Sequence, residues 1–490
     1  MASVSADERE RIDGLAAFAS ASLGLAMIVI AALERVGAPD SFVVALGPLF
    51  AFAGLVVIGL ASRSPNLPEF LAARRAVPPG YGGLALAVVG AGLALGLSSR
   101  GGGLTSWAPV VPGFLIAALI VAPALRRTNV SGVADLLATH FPVRGLSIAY
   151  ASALFATAAL AATAGFELSV ESISASLGMS RRAAEILVFV ILALSAAPGG
   201  VKGVIWSDAA SGGLVLLVAC VGFALAFWRS PEPLGPLQQE AAALLATPGY
   251  VGAWTQFAAL ALAIATTPLL TAPAIASPSG RAARGAGLTA TLLGAAGVCA
   301  AIVALPHAAA RAAPSAEALI AMASWMPALA LARAGAYAAS RADGIELASA
   351  YSRLSVLASR RIALGRLSML GTLAVAAIAC DRLSPPPAKT LEIALAIQLA
   401  FVAPSLILAL TRRAPRAAGA AALGAAAAAA VALAWLTPGS PWPDLMPDAL
   451  GSAAAGLAAG AVLTAMRPER RRRPSLSADP FVDVPLDAFG

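Results

Sequence analysis

Apolar residues in this chain fall into long runs separated by short clusters of Pro, Gly and Arg, and most runs approach 20 residues. That length crosses a hydrocarbon layer of about 30 Å as α-helix, at roughly 1.5 Å of rise per residue. Cutting the chain at the clusters predicts helices over 14–33, 41–62, 80–99, 107–125, 145–166, 182–199, 204–228, 252–275, 285–306, 317–340, 362–381, 390–412, 416–436 and 449–466. The expected fold class is therefore an all-α polytopic membrane protein with about 14 transmembrane helices. The longest gap, 228–252, is too short for a soluble domain of its own, so the functional groups are expected in or beside the bilayer. The alanine tract 417–434 suits a peripheral helix packed through close backbone contacts.

Composition agrees with the pattern. Of 490 residues 59% are hydrophobic and 12% charged, where a soluble domain has about a quarter charged. The formal charge of +8 does not point to nucleic acid, because the basic residues lie between apolar runs and form no patch with interleaved aromatics. With both termini placed in the cytoplasm, 23 Lys and Arg fall on the cytoplasmic side and 8 on the other. This asymmetry follows the positive-inside rule and predicts an integral plasma (inner) membrane protein. Cys220, Cys299 and Cys380 sit inside apolar runs without metal-ligand spacing and are expected as small core residues.

Interrupted spans are where transporters expose backbone amides and carbonyls to ions and solutes. Two places qualify. The third helix carries Gly82, Gly83, Gly90, Gly92 and Gly96, and the eighth carries Thr266, Thr267 and Pro268 with Pro273 beyond. Their separation by five helices predicts two inverted five-helix repeats, 80–228 and 252–412. Two extra helices and a lead-in loop (1–79) would precede them, and two peripheral helices (416–466) and a cytoplasmic tail (467–490) would follow. Gly90, Gly92, Thr266, Thr267 and Pro268 are the candidate substrate-binding residues; the competing reading is helix packing for the glycines and bonding to their own backbone for the threonines.

A carboxylate inside a span is costly and marks a functional site by default. Asp208 is such a group, either paired with Lys202 or lying on an ion path. Glu346 lies among Arg341, Arg353, Arg360 and Arg361 and is expected in solvated salt bridges, while His140 and His307 are expected at opposite membrane edges. No GxSxG, HExxH or Walker pattern is present, and Arg100–Gly103 lacks the flanking strand and helix of a phosphate loop. These absences argue against an enzyme, and no cofactor or metal is expected.

Several segments read together resemble the sodium:solute symporter family, most closely its cation/acetate symporter branch. Glu69–Arg75 with Val77–Pro79 is similar to the loop leading into the first core helix, and Val133–Leu137 to a short stretch after the second. Pro198–Asp208 is similar to "GGxxAVxWTD", Pro268–Arg284 to "PHxxxRxxxxxxxxxAR", and Arg412–Gly419 to the join between the last repeat and the peripheral helices. The resemblance runs from about residue 66 to 466. It implies a leucine-transporter-type five-plus-five inverted repeat and ion-coupled uptake of a small solute, such as a monocarboxylate, by alternating access. Asp208 matches the family's acid on the cation path. The family's sodium ligands fall on Val89 or Gly90 and on Ala336, Ala338 and Ala339, which carry no side-chain oxygen, so the sodium site is degenerate. Tyr337 is expected to fill the emptied ion cavity. Two readings follow: a symporter coupled to sodium or protons, or a transport-inactive homologue acting as a sensor or as one half of a complex with a partner subunit.

Overall fold

The computed structural model describes residues 6–99, 107–128, 130, 132–229, 242, 250–309, 314–342, 358–411, 415–436 and 445–466. Among these residues the chain is helical, with no strand. The helices are α1 (Ala6–Arg35), α2 (Asp40–Ala61), the short α3 (Leu67–Ala72), α4 (Pro79–Ser98), α5 (Val110–Arg127), α6 (Val133–His140), α7 (Arg144–Leu177), α8 (Arg181–Ala196), α9 (Val201–Arg229) and α10 (Tyr250–Thr266). They are followed by α11 (Thr271–Ala276), α12 (Gly280–Ala309), α13 (Pro314–Arg341), α14 (Ala358–Leu383), α15 (Pro387–Leu410), α16 (Arg416–Leu436) and α17 (Leu445–Met466).

A helix overlies each of the fourteen segments read from the apolar pattern. By length and apolarity nine helices among the described residues are able to cross a membrane, or ten if α10 and the segment beyond its bend count as one span. Leu60, Ile120, Ile186, Leu217, Val375 and Ile378 stand exposed on the outside of the bundle. Large apolar side chains facing outward in such numbers identify a surface solvated by lipid tails, where backbone polar groups must be satisfied inside the helix.

The centre of the bundle is α13, whose described second half is almost wholly buried, from Trp325 to Arg341. Its most extensive neighbour is α7, and it also packs on α4, α9, α2 and α14. Small residues allow this approach: a methyl group on Gly165 of α7 would stand 2.5 Å from the Ala332 nitrogen, and one on Gly335 of α13 would stand 2.5 Å from the Ala162 nitrogen. Contacts of this kind replace hydrophobic driving force between helices in lipid. The alanine-rich α16 lies against α17, where a methyl on Gly456 would meet the Ala422 carbonyl at 2.7 Å.

Three expectations change. The third predicted helix is not interrupted: α4 runs unbroken through Gly82, Gly83, Gly90, Gly92 and Gly96. The fifth continues to Leu177. Cys380 is buried, whereas Cys220 is exposed on the outer side of α9 rather than in the core. Glu346, and the side chains of Cys299 and His307, lie outside the described residues.

Candidate functional site

The eighth predicted helix is broken where Thr267 and Pro268 lead the sequence to expect it. Helix α10 ends at Thr266, Thr267 is extended (φ −64°, ψ 143°), and Pro268–Leu270 forms a single 3-10 turn before α11. The two arms meet at a bend of 47°. Pro268 has no amide hydrogen to donate, so the helical ladder cannot continue through it. Thr266 Oγ1 donates to the Leu262 and Ala263 carbonyls at 3.0 and 3.1 Å, the backbone-bonded alternative for that residue.

The carbonyl that the break releases is already taken. Gln398 Nε2 donates to the Thr266 carbonyl at 2.6 Å from α15, and Gln398 is fully buried at the start of a π-helical stretch, Gln398–Val402. A π-turn inside an α-helix leaves the regular ladder and is frequent at functional sites. Gln398 Oε1 and Thr267 Oγ1 are both buried without a hydrogen-bond partner, which is costly unless another group completes them. Sequence reasoning missed Gln398; its signal was a lone amide in an apolar run, weaker than a carboxylate but of the same kind.

The glycines of α4 serve packing. A methyl on Gly90 would stand 2.9 Å from the Phe114 ring, one on Gly92 would collide with the Pro327 carbonyl, and one on Gly83 would stand 2.7 Å from Thr289 Cβ. Gly90 and Gly92 thus seat α4 against α5 and α13. Their expected position at a helix break is corrected, because close backbone approach already explains the residue type.

Asp208 does not pair with Lys202. Its Oδ1 accepts from Nε of Arg333 at 2.7 Å and lies 2.7 Å from Nη2 of the same guanidinium, and neither side chain has more than 2% of its surface exposed. The same Nη2 donates to Ser211 Oγ at 3.1 Å, and Ser211 in turn donates to the Ser207 carbonyl at 2.8 Å. Arg333 Nη1 is buried without a partner. A carboxylate in such a place must be neutralised, and here α13 supplies the positive charge to α9 across 125 sequence positions.

Val89, Ala338 and Ala339 are buried in one apolar cluster formed by α4, α13 and their neighbours, while Ala336 lies with Tyr337 in the adjoining cluster. Tyr337 is buried and held by two hydrogen bonds. Its hydroxyl donates to the Leu71 carbonyl at 3.0 Å and accepts from Arg341 Nη1 at 3.0 Å, tying α13 to the lead-in loop. Ser340 Oγ donates to its own helix at Tyr337 O, 2.8 Å away.

Two of the segments noted for their resemblance, Glu69–Arg75 and Pro198–Asp208, come together at that loop. Ser64 Oγ donates to the Gly199 carbonyl at 2.9 Å, and Arg366 Nη2 donates to the Pro198 and Ser64 carbonyls, both at 2.9 Å. Gly200 has φ +56°, and a methyl there would stand 2.5 Å from the Phe70 ring, so both conformation and space require glycine. A further acid lies in α7 beyond its expected end. Glu167, 2% exposed, accepts from Arg181 Nη2 at 2.6 Å, and Arg181 also bonds Glu185 at 3.1 Å and the Cys380 carbonyl at 3.1 Å.

The model of the sodium:solute symporter family matches residues 81–233, from α4 to just past α9. Among solved structures, a Na+-coupled sialic acid symporter in a substrate-bound, outward-open state superposes with a TM-score of 0.72 at 13% identity, covering 89% of this chain and 99% of that one. A mutant of the Eremococcus coleocola manganese transporter matches with a TM-score of 0.42 at 16% identity, covering 82% of this chain and 94% of that one. The comparison with curated protein sequences gave no significant match. The chain is an integral membrane protein, built from helices on the fold of that symporter and similar over residues 81–233 to the sodium:solute symporter family.

Proposed function

We propose that this chain is a secondary active transporter that accumulates a small organic solute, a monocarboxylate such as acetate, by alternating access and in symport with an ion. The observation that carries this reading is the break at Thr267–Pro268, buried within the bundle of a fold shared with a symporter. A broken span offers a carboxylate the amide end of a half-helix, and offers an ion the carbonyls of the other half. Among the described residues, Thr267 Oγ1 and Gln398 Oε1 are the buried side-chain oxygens left to complete such a site. Gly90 and Gly92 support the α4 wall beside it, and Asp208 stands on the path expected for the cation. The reading includes fourteen spans arranged as two five-helix repeats with four flanking helices, and both termini in the cytoplasm of an inner membrane.

Purified protein in proteoliposomes, given labelled acetate, other short monocarboxylates or proline under an imposed sodium or proton gradient, tests this reading. Accumulation that collapses when one gradient is dissipated establishes the symporter and names its ion. The second reading, a transport-inactive sensor or partner subunit, draws on the alanines at positions 336, 338 and 339 and on the neutralised Asp208. It requires solute binding by folded protein with no accumulation under either gradient.

A further inference from the structure

We propose that Arg333 is a built-in counter-cation for Asp208, occupying the place where a dissolved monovalent cation would otherwise neutralise this acid, so that the centre of the bundle holds together without sodium. The inference goes beyond the transport reading and stands whether the protein accumulates solute or not.

Three observations carry it. Asp208 is the acid of α9 buried at the contact with α13, and two nitrogens of one guanidinium lie 2.7 Å from its Oδ1. The guanidinium is met by two oxygens, the Asp208 carboxylate and Ser211 Oγ at 3.1 Å, and Ser211 is itself oriented by donating to the Ser207 carbonyl at 2.8 Å. A sodium ion needs several oxygen donors and their full geometry, whereas a guanidinium needs acceptors for planar N–H groups. Along α13 from Arg333, Ala336 supplies no side-chain oxygen, the Tyr337 hydroxyl is engaged by the Leu71 carbonyl and Arg341, and Ser340 Oγ donates to its own helix. This stretch of α13 therefore contributes a positive charge and no free side-chain oxygen to hold one.

The charge also arrives on a rigid stem. Arg333 is fully buried between residues that are themselves buried, and α13 is held to α7 by the glycine contacts described above. A tethered cation at this place does not exchange with the solution, so changes in sodium concentration leave the α9–α13 contact unaltered. Removing the guanidinium while keeping the acid would leave a buried carboxylate near the Ser211 hydroxyl with no counter-charge, and a cation from solution would be drawn in to replace it.

The test is thermal unfolding of the purified full-length protein in detergent, in sodium chloride and in choline chloride at equal ionic strength. The unaltered protein is expected to melt at the same temperature in both. Arg333→Ser is expected to melt lower in choline and to recover progressively as sodium replaces choline, and Arg333→Ser with Asp208→Asn is expected to lose that recovery. A sodium-specific rise in the unaltered protein that Asp208→Asn abolishes would overturn the proposal, because Asp208 would then bind sodium despite Arg333. An Arg333→Ser protein indifferent to sodium would overturn it as well. Should Arg333→Ser fail to fold in either salt, Arg333→Lys decides: retained charge predicts melting that is again the same in sodium and choline, and a sodium-specific rise contradicts it.

Discussion

Single side chains set the sharpest constraints in this protein. Removing one member of the Asp208–Arg333 pair strands the other charge in a buried site, which costs about 3–5 kcal/mol. Asp208→Ala should therefore lower the unfolding midpoint strongly. Replacing both residues with Met should restore most of the loss, measured by thermal unfolding of the single and double variants side by side; equal losses in both would mean that the pair is held by packing alone. Gln398→Leu leaves the Thr266 carbonyl buried without its donor, at a cost of about 1–3 kcal/mol. The same substitution should impair solute binding more than the parallel change Gln256→Leu outside the break, in an equilibrium binding assay. Asp208 was legible in the sequence because a carboxylate in an apolar run needs an explanation. Its partner was not, because 125 residues separate them and nothing local marks Arg333 as facing α9 rather than lipid. Glu167 was hidden for a simpler reason: the apolar pattern ended its helix at 166, eleven residues short of Leu177, so the acid fell just outside the expected span.

Helices were legible where the apolar runs were cut by Pro, Gly or charge, since length alone marks a segment that fits a bilayer. The break at Thr267–Pro268 followed from the chemistry of proline. The expected break in α4 did not form, because glycine carries two meanings in membrane helices and sequence spacing alone does not separate them. Gly83, Gly90 and Gly92 each face a neighbour at a distance that excludes a side chain, so packing accounts for them in full. The α7–α13 contact gives a test of the same physics. Gly165→Ala and Gly335→Ala press a methyl group against the facing backbone and should each destabilise by about 1–3 kcal/mol. Gly371 of α14 has open space around it, and Gly371→Ala should instead be neutral or stabilise by up to about 1 kcal/mol. Equal effects at all three positions, by thermal unfolding in detergent, would show that close approach does not hold α7 to α13.

For the whole molecule, the apolar pattern implied a helical membrane protein, and the motifs implied a symporter-like fold; the structure and the symporter superposition support both. Neither periodicity nor charge bias indicates which buried groups meet, because the tertiary contacts join segments far apart in sequence. The proposed transporter therefore rests on a broken helix that leaves two buried oxygens unsatisfied among the described residues, and the sodium-independent stability of the bundle centre rests on a guanidinium that already serves the central acid. The most direct measurement of the transport reading is uptake of a labelled short monocarboxylate into proteoliposomes under an imposed inward sodium or proton gradient. The account predicts accumulation above the external concentration that collapses when one of the two gradients is dissipated. Folded protein that accumulates no short monocarboxylate under either gradient would contradict it.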